Sequence, residues 1–97
     1  MSIVEEKLPT QEDSAGVSAT WQSRDLRWWR LVADITGYHL LSDAGDRLII
    51  TPDGEVRNHV TQRTVRDDEA IRAAGICLAT AGCGTWATRV HFWFLDH

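Results

Sequence analysis

The chain has 97 residues, 43% of them hydrophobic and 25% charged, with a formal net charge of −4. That length argues for one domain, and the composition excludes a wholly disordered, collagenous or membrane-spanning chain. The charge is uneven: residues 1–20 carry four acids against Lys7, a net −3, whereas the remaining 77 residues hold nine Arg against ten acids, so the body is close to neutral. The start MSIVEEKLPTQED lacks the apolar stretch that secretion requires, and no run of ~18 apolar residues exists, so a cytoplasmic location is expected. In that compartment Cys77 and Cys83 are expected as thiols and not as a bridge. A core at this size rests on a few large side chains, and the five Trp can each remove ~150–250 Å² from water.

Residues 1–20, with Pro9 and Gly16 and no periodic apolar pattern, read as a flexible acidic leader, and 21–97 as a single α+β domain. From Ser23 to Thr36 (SRDLRWWRLVADIT), Trp28, Leu31, Val32 and Ile35 recur at helical spacing, with Ser23 as N-cap and Gly37 just past the end. The alternation of Trp29, Leu31, Ala33 and Ile35 keeps a strand reading open; the helix reading turns Trp28 inward and carries Trp29 toward the surface. Tyr38 to Leu41 and Arg47 to Thr51 read as strands joined by a turn at DAGD, Asp43 to Asp46. Pro52-Asp53-Gly54 then reverses the chain into a strand over Glu55 to Thr61, because Pro presets φ, Asp can bond its own downstream backbone and Gly accepts positive φ.

Thr64 opens a T-x-x-D pattern leading into Asp67, Asp68 and Glu69, acids that favour the start of a helix running to about Ala81, where Gly82 and Gly84 stop it. Ile71, Ala74 and Leu78 form its inward stripe, with Cys77 as helix-face packing and Cys83 as a loop thiol. Trp86 to Leu95 (WATRVHFWFL) alternates and reads as the longest strand. The expected order is therefore α-β-β-β-α-β: a small, mostly antiparallel four-stranded sheet with two helices packed on one face and the other face open.

Strand parity places Leu48, Ile50, Val56, Val60, Val90, Phe92 and Phe94 inward and throws Arg47, Ile49, Arg57, His59, Arg89, His91, Trp93 and Leu95 outward. The binding residues expected from this are Arg57, His59, Arg89, His91 and Trp93, joined by Trp29. Arg offers forked donors and Trp a large rigid contact. The plainer alternative covers the apolar members with the leader, with a helix or with a homodimer mate.

Nucleic acid is a second candidate partner, through Arg57, Arg63, Arg66 and Arg89. The helix, three strands, helix order follows that of double-stranded RNA-binding domains, but the second helix opens with Arg66-Asp67-Asp68-Glu69 where those domains present Lys to phosphate. Cys77, Cys83, His91 and His97 are spaced C-x5-C and H-x5-H, which matches no common zinc pattern, so neither metal nor cofactor is expected. Asp43, Asp46, Asp53 and His59 surround the turns, where Asp serves backbone geometry, and no motif of an established catalytic class is present. The expectation is a non-enzymatic protein-binding module, an inhibitor, adaptor or regulatory protein acting by steric occlusion. A nucleic-acid-binding protein is the alternative, with no membrane contact in either case.

Overall fold

A computed structural model describes residues 16–97, with side chains from Ala19 onward. Five strands come first and two helices last: β1 (Gly16–Gln22), β2 (Trp28–Asp34), β3 (Gly37–Ser42), β4 (Arg47–Ile50), β5 (Val56–Asn58), α1 (Asp68–Thr80) and α2 (Gly84–Asp96). The strands form one antiparallel meander in the order β1-β2-β3-β4-β5. The α+β class with two helices on one sheet face stands; the four-stranded sheet and the order α-β-β-β-α-β do not.

Three elements account for the difference. The segment expected as the first helix is β2, in which Trp29 and Leu31 are fully buried while Trp28 and Arg30 are exposed. Asp34, Ile35, Thr36 and Gly37 then make a tight hairpin turn. Asp34 accepts a hydrogen bond from the Thr36 backbone N–H at 2.8 Å, and Gly37 takes φ +124°, so the glycine expected to end a helix opens β3. Second, Gly16–Thr20, assigned to the leader, lie in β1, paired with β2 from Gly16↔Ala33 to Gln22↔Trp28. Residues 1–15, the remainder of that leader, lie outside the described residues.

Third, the string expected as the longest strand is α2. Trp86, Val90 and Phe94 satisfy both a two-residue and a four-residue repeat, so the two readings separate at Phe92. A helix carries that residue ~200° from Val90, and it is 57% exposed.

The turns behave as their residues dictate. Gly45 in the β3–β4 turn and Gly54 in the β4–β5 turn both hold positive φ. The strand after Gly54 is shorter than expected: β5 ends at Asn58, whose Oδ1 accepts the N–H groups of Val60 and Thr61, both at 2.9 Å, leaving Val60 81% exposed instead of inward. The N-cap of α1 is Asp67, not Thr64; its carboxylate accepts the Glu69 and Ala70 N–H groups. Its C-terminus closes through Cys83 N–H to Leu78 O at 2.8 Å and Gly82 N–H to Ala79 O at 3.1 Å, with Gly82 in the left-handed region.

One core results. Ala19, Trp29, Leu31, Leu40, Leu48, Ile50 and Val56 from the sheet meet Ala70, Ala73, Ala74, Cys77 and Leu78 of α1 and Val90 of α2. The alanines let α1 lie close over β1 and β2. Burial pushes the Cys77 thiol up to about 11, which keeps it protonated and unreactive. Tyr38 meets Trp86 edge-on at 4.9 Å and accepts a hydrogen bond from the Cys83 thiol at 3.2 Å, tying β3 to the start of α2.

The buried Trp29 indole needs a partner for its N–H, and Ser23 Oγ accepts it at 3.0 Å. Ser23, expected as a helix cap, is instead a buried member of the β1–β2 turn. Arg27 lies over the same indole at 4.6 Å and reaches three carboxylates: Asp25 at 2.6 Å, Asp67 at 2.8 Å and Asp46 at 3.1 Å. One guanidinium thus joins the β1–β2 turn, the β3–β4 turn and the cap of α1. The Arg27 hydrogen bonds, helped by the Ser23 hydroxyl, hold the Asp25 carboxyl down at about 2.

Gly54 fixes the second helix. A Cβ there would stand 2.2 Å from the Arg89 carbonyl oxygen, so the β4–β5 turn rests directly on the α2 backbone. Gly54→Ala should therefore cost at least ~3 kcal/mol, strain and overlap together, whereas Gly45→Ala, with open space around it, should cost only ~1–2 kcal/mol of backbone strain. Urea midpoints of the two variants check this; equal losses would contradict the contact.

Because the Asp25 carboxyl sits lower in the folded chain than its usual 3.8, its contribution is complete above about pH 4 and is lost as pH falls toward 2. Asp25→Asn should flatten the fall of the thermal midpoint across that interval and leave the slope above pH 5 unchanged.

Candidate functional site

With both helices on one side, the parity of the meander collects a second set of residues on the other. Register aligns Arg30, Leu41 and Arg47 in one row across β2, β3 and β4, and Val32, His39, Ile49 and Arg57 in the next row across β2 to β5. At a strand spacing of ~4.8 Å, Arg30 and Arg47 stand about 10 Å apart with Leu41 between them. Trp28, 52% exposed, lies at the start of β2 on this same face, its backbone N–H donating to Asp43 Oδ1 at 3.0 Å. Val32, Leu41 and Ile49 are half-buried among the longer side chains, and no described element covers them.

The acids of this face, Asp34 and Glu55, lie against His39 and Arg57 and leave the other two arginines to themselves. Among the described residues no carboxylate lies within 4 Å of a guanidinium nitrogen of Arg30 or Arg47. Arg57 Nε lies 2.9 Å from Oε1 of the buried Glu55, an ionic contact whose N–H is not aligned for a hydrogen bond. Glu55 in turn accepts a hydrogen bond from the Thr64 hydroxyl. His59 follows β5, its N–H donating to Arg47 O at 2.8 Å and its ring 5.5 Å from that of His39. Arg57 and His59 are thus where parity expected them.

His39 Nε2 is 2.8 Å from Thr36 Oγ1 and 3.3 Å from Asp34 Oδ1. The Thr36 hydroxyl spends its one proton on Asp34 at 2.5 Å, so its oxygen accepts from His39 Nε2–H. The Thr36 hydroxyl and amide, and then the His39 charge, hold the Asp34 carboxyl below its usual value. Acid and hydroxyl meet the same ring nitrogen, whereas a relay to a nucleophile uses opposite nitrogens. The cluster clasps the β2–β3 turn. The turn acids are similarly engaged: Asp46 accepts from Ser42 Oγ at 2.5 Å and pairs with Arg27, and Asp53 accepts from the Thr51 hydroxyl.

The other expected site residues are elsewhere. Arg89, His91 and Trp93 belong to α2, on the helix layer across the sheet, and cannot join Arg57 and His59. Arg89 donates to Pro52 O at 3.1 Å and lies near the Trp86 ring, which makes it a brace of the β4–β5 turn. Trp93 stacks on His97 at 3.9 Å, and Arg66 reaches over to donate to His97 O at 2.8 Å. His91 is exposed on the rim of a groove of about 450 Å³ between α1 and α2, lined by Ile71, Gly75, Ile76, Val90, Phe94 and Leu95. Trp29 is a core residue, fully buried, and Trp28 beside it is the exposed one; the strand reverses the helix-based assignment.

Sequence reasoning missed Arg30, Leu41 and Trp28 because it placed the first and third inside a helix and left β3 parity unassigned. The alternation from Trp29 to Ala33 was the signal for them. Among the described residues no group of three His, Cys, Asp or Glu side chains converges to hold a metal, and no helix is long and apolar enough to cross a membrane.

The two adjacent tryptophans offer a direct check of the face assignment. Trp29→Ala should cost ~3–5 kcal/mol by urea unfolding and Trp28→Ala less than ~1 kcal/mol; comparable losses would place both in the core. Comparison of the chain with protein-family models, curated proteins and solved structures finds no match, so these residues and their geometry carry the functional argument.

Proposed function

We propose that the protein is a binding module that docks its open sheet face on an acidic protein surface and acts by occluding it, as an inhibitor, adaptor or regulatory protein would, without chemistry of its own. The observation behind this reading is the array of Arg30, Arg47 and Arg57 around the half-buried Val32, Leu41 and Ile49, with no described acid facing Arg30 or Arg47. Guanidinium groups bind carboxylates through paired donors, and the aliphatic strip supplies apolar area at the centre, the mix typical of a protein contact.

Nucleic acid is the second reading, supported by the same guanidinium array. It is the weaker one because the centre of the face is aliphatic. Trp28 is its only tryptophan and stands at an edge, and the His39 and His59 rings meet edge-on, so bases would find little to stack on. Arg63, exposed after β5, lies on the loop beyond the face, and Arg66 and Arg89 are engaged with His97 and Pro52 in the helix layer.

The test is affinity capture from host lysate with the tagged full chain, compared with an Arg30→Glu/Arg47→Glu variant, with and without nuclease. The proposal expects a protein that survives nuclease and falls at least ~10-fold with the charge-reversed variant, at an unchanged thermal midpoint. Capture that is indifferent to the two arginines would refute it, and capture abolished by nuclease would favour the second reading.

A further inference from the structure

The sheet is open on one side, and the chain itself holds a segment of matching chemistry. We infer that residues 1–15 are an internal ligand of the arginine-bearing face, in competition with the outside partner. This rests on the reading of that face as a docking surface.

Connectivity is the first argument. β1 is an edge strand that begins at Gly16, opposite Ala33, and the next register row runs from Val17 through Val32, His39 and Ile49 to Arg57. Residues 1–15 therefore join the sheet level with the row that holds His39 and Arg57. From β1 to β5 is four strand spacings, about 19 Å. Fifteen residues reach up to ~50 Å when extended, and a flexible chain of that length has a root-mean-square span of about 22 Å, close to the width to be crossed.

Complementarity is the second. The segment holds Glu5, Glu6, Glu12 and Asp13 against Lys7, a net charge of −3, within a chain whose residues 16–97 sum to only −1. Ile3, Val4 and Leu8 are interleaved with those acids. The face offers the converse: Arg30 and Arg47, with no acid against them among the described residues, and Arg57, paired with Glu55, are set around Val32, Leu41 and Ile49. The helix-layer groove is a poorer match, because its α1 wall places Asp68 beside Arg72.

A partner that displaces this segment must present the same mix, acids interleaved with aliphatic side chains. A tether of this length supplies an effective concentration on the order of 1 mM, so a contact of ~0.1 mM intrinsic affinity would weaken outside acidic ligands about tenfold.

The experiment uses the full chain and a full-length variant carrying Glu5→Gln, Glu6→Gln, Glu12→Gln and Asp13→Asn. The probe is a synthetic peptide of residues 1–15, and the readout is NMR of the backbone amides and the arginine Nε–H groups. The proposal expects the variant to shift the Arg30, Arg47 and Arg57 signals relative to wild type, and the peptide to bind the variant about tenfold more tightly than wild type. Added salt at 0.5 M should remove the difference.

Equal binding of the peptide to both proteins at the sheet face would overturn the internal ligand while leaving the docking surface intact. Binding to neither would remove both. Shifts confined to Ile71, Phe94 and Leu95 would overturn the inference by moving the segment to the helix groove.

Discussion

A single guanidinium, that of Arg27, is the point at which the parts of this small protein are fastened together. It lies over the buried Trp29 ring and pairs with Asp25, Asp46 and Asp67, which belong to two different turns and to the cap of α1. The indole N–H is satisfied within the same junction by Ser23, so the largest core side chain is buried without an orphaned donor. Glu69 extends the junction by accepting the Arg24 N–H at 3.0 Å, which locks the start of α1 onto the β1–β2 turn.

The junction settles α1, and the Gly54 contact settles α2. With one helix held at the β1–β2 end and the other seated on the β4–β5 turn, both helices are committed to the same side of the meander. The opposite side is left to strand parity alone. The residue content of the open face is therefore a by-product of one-sided closure. Residues with no role in the core alternate with those that have one, and three of them are arginines.

Arg57 and His59 were readable because β4 and β5 follow a turn whose residues leave little choice. Arg89, His91 and Trp93 were misplaced because a strand and a helix agree on Trp86, Val90 and Phe94, and aromatic residues in alternation favour the strand on propensity alone. Trp28 and Trp29 exchange roles for the converse reason: the run 23–36 carries both periods, and most of β1, its pairing partner, falls within residues 1–20, which read as a leader. The alternation of Val17, Ala19 and Trp21 is a strand signal in the sequence, and it would have supplied a neighbour for β2.

By itself, the amino-acid sequence determined the turns at Asp43–Asp46 and Pro52–Gly54 and the acidic start and glycine stop of α1. All of these are decided by φ preferences and side-chain-to-backbone bonds spanning three or four residues. Only the tertiary structure decided that 28–34 is a strand, that 84–96 is a helix, and hence which residues share the open face. Amphipathic strings of this kind satisfy either period, and what selects one is the surface each must bury against, a surface built by residues far away in the chain.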